Sequence, residues 1–182
     1  MFRPFYLIIY FLVAVTIGGT ILLANMGDDT TINSSAPNFT LTDGNDNKIS
    51  LENTLLENQA VVLIFYRGYF WGICRGQLGE LQSRYSEFRD RNSEILAISI
   101  DSLDEVRNMT SLVQPDFHIL SDDQATVSKN YQVFDVLDDR LAAPAVFIVG
   151  KDGSILWRRI GENAGDRPSS DEILSQLSRL GF

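Results

Sequence analysis

The chain has 182 residues, 24 of them acidic against 15 basic, and a formal charge of −9. That length supports one domain with a sizeable core, and an acidic chain with scattered Lys and Arg excludes a nucleic-acid face, which needs a basic patch. One cysteine excludes an intramolecular disulfide and a multi-cysteine zinc site, one histidine excludes a pair of imidazole ligands, and no motif calls for a cofactor.

Residues 5–24 form an uncharged apolar run (FYLIIYFLVAVTIGGTILLA). As a helix rising about 1.5 Å per residue it spans about 30 Å, the hydrocarbon thickness of a bilayer. A cleaved signal peptide has a shorter apolar region and a small-x-small site, and Leu22-Leu23-Ala24 is a poor one. Residues 1–27 therefore read as an uncleaved single-pass anchor. Arg3 before the run and Asp28 and Asp29 after it place the N-terminus in the cytoplasm and the following domain outside it, periplasmic or on the outer face. Within the polar stretch Asn25–Pro37, residues 28–37 read as a tether, and residues 38–182 as the folded domain.

That domain alternates strands and helices. Phe39-Thr40-Leu41 and Lys48-Ile49-Ser50 flank the turn signal Asp43-Gly44 and predict a hairpin. Val61–Tyr66 reads as a buried strand, Cys74 to about Asp90 as an amphipathic helix, and Ile95–Ile100 as a second buried strand. Asp101–Val113 reads as a helix capped by Asp or Ser. A short strand at Phe117–Leu120 and a helix over Asp123–Tyr131 follow. Ala145–Val149 and Ile155–Trp157 read as strands joined by the turn Lys151-Asp152-Gly153, and Asp171–Leu180 as a final amphipathic helix. The alternation predicts a three-layer α/β domain, a central mixed sheet flanked by helices.

Cys74 is the chain's candidate for chemistry. It falls where a buried strand hands over to a helix, and the first turn of a helix offers unpaired N–H groups and the positive end of the dipole. Both favour the thiolate, which is the nucleophilic form. The competing reading is a small buried hydrophobe. Arg67 is either a solvated charge at the strand end or a guanidinium that stabilises the Cys74 thiolate. Trp71 reads as a packing residue or pocket wall, because indole has one donor and no useful acid or base. Gln77, one turn beyond Cys74, points to solvent or to the helix entrance. His118 reads as a strand or edge residue, and Ser99 has no histidine partner for a hydrolase triad.

Ala36-Pro37-Asn38-Phe39-Thr40-Leu41-Thr42-Asp43-Gly44 resembles the opening of the alkyl hydroperoxide reductase/thiol-specific antioxidant group, the peroxiredoxins and their thioredoxin-fold relatives. Phe70-Trp71-Gly72-Ile73-Cys74-Arg75-Gly76-Gln77-Leu78 resembles the cysteine loop of one-cysteine bacterial members, and Phe147-Ile148-Val149 with Lys151-Asp152-Gly153 resembles their strand and turn near the active site. The resemblance implies a thioredoxin-like fold with Cys74 as the peroxidatic cysteine. Cys74 would be oxidised by a hydroperoxide to a sulfenic acid and reduced by an external thiol or a thioredoxin-like reductant. It leaves an oligomer open.

The chain departs from the family motif Pro-x-x-x-Thr-x-x-Cys. Arg67 stands at the Pro position and Trp71 at the Thr position, and Pro144 stands where the family carries an arginine. Tyr66-Arg67-Gly68 also resembles a branch with Tyr-Arg-Gly-x-Trp-Cys-Pro-x-Cys, in which Trp71 replaces the first cysteine and Pro144 matches a proline, usually cis, opposite the site. These residues imply a pocket walled by Phe70, Trp71, Gln77 and Pro144 around Cys74 and Arg67. The rival readings are a degenerate binding or scaffolding module without peroxidase activity, and a thiol-exchange partner that forms a mixed disulfide through Cys74.

Overall fold

A computed structural model describes residues 34–182. The anchor read over residues 5–24 lies outside the described residues, among which no helix is long and apolar enough to cross a membrane.

The elements run β1 (Ser34–Ser35), β2 (Thr40–Asp43), β3 (Lys48–Ser50), α1 (Leu51–Glu57), β4 (Ala60–Phe65), α2 (Gly72–Ser83), α3 (Tyr85–Arg89), β5 (Ser93–Ser99), α4 (Leu103–Val113), β6 (His118–Ser121), α5 (Thr126–Asn130), β7 (Ala145–Gly150), β8 (Ser154–Ile160) and α6 (Ser170–Arg179). All eight strands form one mixed sheet in the order β1-β8-β7-β4-β5-β6-β2-β3. β4 and β5 pair in parallel, as do β5 and β6, while β7 pairs antiparallel with β4 and β8.

β4 shows why the core is two-sided. Successive strand residues point to opposite faces. Ala60, Val62, Ile64 and Tyr66 join one buried cluster with Cys74, Leu78, Val106, Met109, Ile173 and Leu177, beneath α2, α4 and α6. Val61, Leu63 and Phe65 join the other with Leu51, Leu55, Val127 and Tyr131, beneath α1 and α5. A strand covered on both faces has no polar alternation, which accounts for the unbroken apolar run. Each buried Val, Leu, Ile, Met or Phe among them contributes about 1.5–3 kcal/mol by leaving water. The architecture is the expected α/β sheet with helices on both faces, thioredoxin-like in its central strands.

Four details differ from the sequence-based expectation. The helix expected from Cys74 to Asp90 is two helices, because Arg84 leaves the helical conformation (φ −117°, ψ 12°). Its guanidinium bridges Glu87 of α3 with Asp171 and Ser170 of α6. α1 was not anticipated, although Ser50 caps it through Asn53 N and Leu51 and Leu55 form its buried stripe. The ordered sheet starts inside the stretch read as tether, since Ser34 and Ser35 pair with Ile155 and Ser154. The helix after β5 starts at Leu103, with Ser102 and Glu105 forming a reciprocal capping box.

Candidate active site

β4 ends at Phe65, and the loop Tyr66–Trp71 carries the chain to α2. Gly68 takes φ 153°, and a Cβ there would lie 2.8 Å from Asp101 Oδ1. The loop is held at that point because Asp101 Oδ2 accepts the Tyr69 N–H (2.9 Å) and the Ser99 hydroxyl (2.9 Å). Trp71 is the N-cap residue of α2, and its carbonyl accepts the Cys74 N–H at 3.0 Å. Cys74 is thus the third helical residue, with its side chain fully buried in the cluster under α2.

The guanidinium on the sulfur belongs to Arg167, in the loop between β8 and α6. Its Nη1 lies 3.7 Å from Cys74 Sγ and 3.4 Å from Gln77 Oε1, and its Nη2 donates to the Ala164 carbonyl at 2.5 Å. The loop is built from the sheet upward. The Gly161 N–H donates to the Pro144 carbonyl at 2.7 Å, and a Cβ on Gly161 would lie 2.2 Å from the Asp166 carbonyl oxygen, so no side chain fits there. Asp166 accepts the Glu162 N–H at 3.0 Å and Arg159 Nη2 at 2.7 Å. The Glu162 N–H and the positive charge of Arg159 hold its carboxyl below the usual range, despite partial burial. Arg159 also donates to Glu172 of α6.

Arg67 is engaged by other groups than the sulfur. Its Nη2 donates to Asp139 Oδ2 at 2.6 Å, its guanidinium carbon sits 4.5 Å above the centre of the Trp71 ring, and it makes no hydrogen bond to Cys74. Trp71 is half-buried and serves as a platform. Phe70, expected in the pocket wall, is 59% exposed, with its ring centre 6.0 Å from that of Trp71, and Ile73 is 54% exposed. Gln77, read both as pointing to solvent or the helix entrance and as part of the pocket wall, is buried and faces Arg167. Pro144 is buried at the base of the Arg167 loop, and no described peptide bond is cis, the one preceding Pro144 included. His118 begins β6, its Nδ1 2.9 Å from Asp43 Oδ2.

Beneath the thiol, Tyr66 is fully buried with no hydrogen-bond partner for its hydroxyl. Burial pushes its pKa well up, and the charge of Asp101 adds to that. Burial likewise raises the Asp101 carboxyl, against the opposing pull of Ser99 and the Tyr69 N–H. No group of three or more His, Cys, Asp or Glu among the described residues is arranged to hold a metal.

Arg167 was not found from the sequence. It is 93 residues from Cys74, in a polar loop of no periodicity, and one of 15 basic residues. Only the loop closure through Pro144 and Gly161 brings it to the sulfur.

A thioredoxin-like sheet that delivers one cysteine to a helix N-terminus under a guanidinium defines a thiol oxidoreductase. The model of the AhpC/TSA family matches residues 32–158, and the chain belongs to that peroxiredoxin-like family of thiol-dependent peroxidases. It is 31% identical over 126 residues to alkyl hydroperoxide reductase E of Mycobacterium tuberculosis, covering 68% of this chain and 81% of that one. It is 28% identical over 163 residues to a chloroplastic 2-cysteine peroxiredoxin of Chattonella marina var. antiqua, covering 83% and 80%. Among solved structures, peroxidoxin BcpB of Mycobacterium tuberculosis superposes with a TM-score of 0.74 at 23% identity, over 84% of this chain and 99% of that one, which shows the shared fold.

Proposed function

We propose that this protein reduces hydroperoxides through Cys74 alone, recycled by an external thiol or a thioredoxin-like reductant. The Cys74 thiolate attacks the terminal oxygen of ROOH. The S–O bond forms as the O–O bond breaks, and RO⁻ leaves as ROH after taking a proton. The sulfenic acid is then attacked by an external thiol, releasing water and leaving a mixed disulfide, and a second thiol frees Cys74. The observation that carries this reading is the Arg167 guanidinium 3.7 Å from Sγ at the start of α2. A fixed cation there favours both the thiolate and the charge developing on the peroxide oxygens. Trp71 offers no hydroxyl at the position where the family motif has threonine, so oxidation should be slower than with the full motif.

The test is stopped-flow loss of the free thiol on adding hydrogen peroxide, with trapping of the sulfenic acid and Cys74→Ser as control. Oxidation no faster than that of free cysteine would favour the binding-module reading, which the complete burial of Cys74 also suits. Residues 5–24, in this reading, anchor the domain to a bilayer with residues 38–182 outside the cytoplasm. Protease protection on intact cells tests that, and a C-terminus shielded in the cytoplasm would reverse the orientation.

A further inference from the structure

We propose that Arg67 and Trp71 form a subsite for the carboxylate of a co-substrate, and that Asp139 fills that subsite in the free protein. The proposal rests on the thiol-peroxidase reading for which co-substrates are meant. The Arg67 side chain is only 4% exposed. Its Nη2 is engaged by Asp139, but its Nε and Nη1 have no acceptor, nor does the buried Nε1 of Trp71. Buried guanidinium groups ordinarily have their donors filled, because an unfilled one forfeits its hydration with no return. The stack on Trp71, at 4.5 Å, fixes the guanidinium plane and leaves its edge for in-plane acceptors.

The place is set by the helix. Trp71 is the cap of α2, one turn before Cys74, so a ligand held there lies at the positive end of the helix that carries the thiol. The surroundings select an anion. The chain carries a net charge of −9, yet Arg67, Arg75 and Arg167 all bracket this turn. Arg75 Nη1 is tied to the Tyr69 carbonyl at 3.1 Å.

Asp139 identifies the ligand class. It sits in the loop after α5, with its side chain 31% exposed, and it contacts the guanidinium through Oδ2 alone. Its Oδ1 accepts the Leu141 N–H at 3.1 Å. A free carboxylate can place both oxygens on the guanidinium fork, which a tethered Asp held by its own loop does not do. It would displace Asp139, and the exposed Phe70, its ring centre 6.0 Å from that of Trp71, offers an apolar surface for an aliphatic body. The carboxylate could belong to the hydroperoxide or to the reducing thiol.

Binding is measured on the full chain carrying Cys74→Ser and Trp157→Phe, so that no chemistry occurs and Trp71 is the sole tryptophan, excited selectively over tyrosine. Hexanoate should bind about tenfold more tightly than hexanol, a difference of one bidentate contact. Asp139→Asn should tighten hexanoate further and leave hexanol unchanged, and Arg67→Gln should abolish the preference. Equal binding of hexanoate and hexanol in the Asp139→Asn protein overturns the proposal, whether or not Arg67→Gln folds. Because this assay needs no peroxidase activity, it fails separately from the functional reading. In the Cys74-containing chain, a lower KM for linoleic acid hydroperoxide than for its methyl ester assigns the carboxylate to the oxidant. A lower KM for thioglycolate than for mercaptoethanol assigns it to the reductant. No preference in either pair overturns the subsite.

Discussion

Asp43 and Asp101 are both buried carboxylates just at or beyond strand ends of the same sheet, and their environments push them in opposite directions. Asp43 accepts the N–H groups of Asn45 and Asn47 and the Asn47 amide, and faces His118. Burial raises its pKa, but those bonds outweigh it and leave the group below its ordinary value. Asp101 is raised, because its two bonds do not offset its burial. The contrast extends to the neighbourhoods. The Asp43 and Asp122 carboxylates are themselves well partnered, and Asp122 caps α5 through Val127 N, Ser128 N and Ser128 Oγ, although Thr110 Oγ1, packed on Gly44 beside Asp43, has no partner. Of the five buried side-chain polar atoms without a partner among the described residues, four belong to Tyr66, Arg67 and Trp71. Apart from Thr110, the unsatisfied ones collect on the Tyr66–Trp71 loop that leads into α2 and Cys74, as local rules are broken at functional sites and compensated elsewhere.

That division can be broken by mutation on either side. Cys74→Ser should abolish peroxide-driven oxidation and sulfenic acid trapping altogether, and residual trapping would remove Cys74 from the chemistry. Arg167→Ala should slow thiol oxidation by about tenfold to a hundredfold, the usual loss for one charge-stabilising donor, with Arg167→Lys recovering part of it. An unchanged rate would make Arg167 a loop anchor only. On the folding side, Asp122→Ala strands three donors and should cost about 3 kcal/mol. Urea unfolding measures this, and oxidation of the remaining native protein should be unaffected.

Gly68→Ala tests the seam between the two regions. The added Cβ would meet Asp101 Oδ1 and Phe70 Cε1, each at 2.8 Å. Exposed Phe70 can swing away, but Asp101 is held by Ser99 and Tyr69. The expected loss is about 1–3 kcal/mol, read as a lowered Tm, together with slower oxidation because the loop caps α2. A stable variant with unchanged rate would show that the loop tolerates displacement.

The strands and the start of α2 were legible because a sheet buried on both faces leaves an unbroken apolar run, as in Val61–Phe65, and because the hairpin turn carries its own Asp43-Gly44 signal. α1 was hidden by its shortness: seven residues give one buried pair, Leu51 and Leu55, and no period. Cys74 could be placed from its position alone. Its partner could not, since Arg67 is near in sequence and Arg167 near in space. Local spacing carries helix caps and turns, whereas Arg167 reaches the sulfur only through the closure of Gly161 on Pro144. The burial of Arg67 against Asp139, 72 residues away, was beyond the same horizon.

The smallest expected effect is on the pH dependence set by Asp101. Its folded pKa lies above the ordinary carboxyl value of 3.8. Below both values the group is protonated in the folded and unfolded chains and contributes nothing to the dependence. As pH rises from 3.8, the unfolded chain gives up its proton first while the folded chain retains it. The folded state then binds more protons, so stability falls with rising pH until the folded group has also ionised. Asp43 acts with the opposite sign: its stabilisation is present above its ordinary value and fades as pH falls through the lower folded value. Asp101→Asn keeps an acceptor for the Tyr69 N–H and the Ser99 hydroxyl but removes the buried charge. Relative to the parent, the variant should therefore gain stability between pH values just below and well above the carboxyl range. Urea unfolding of both proteins at the two ends of that range measures it. A difference between them that does not move with pH would mean that Asp101 is not burdened by burial, and that the two aspartates are alike after all.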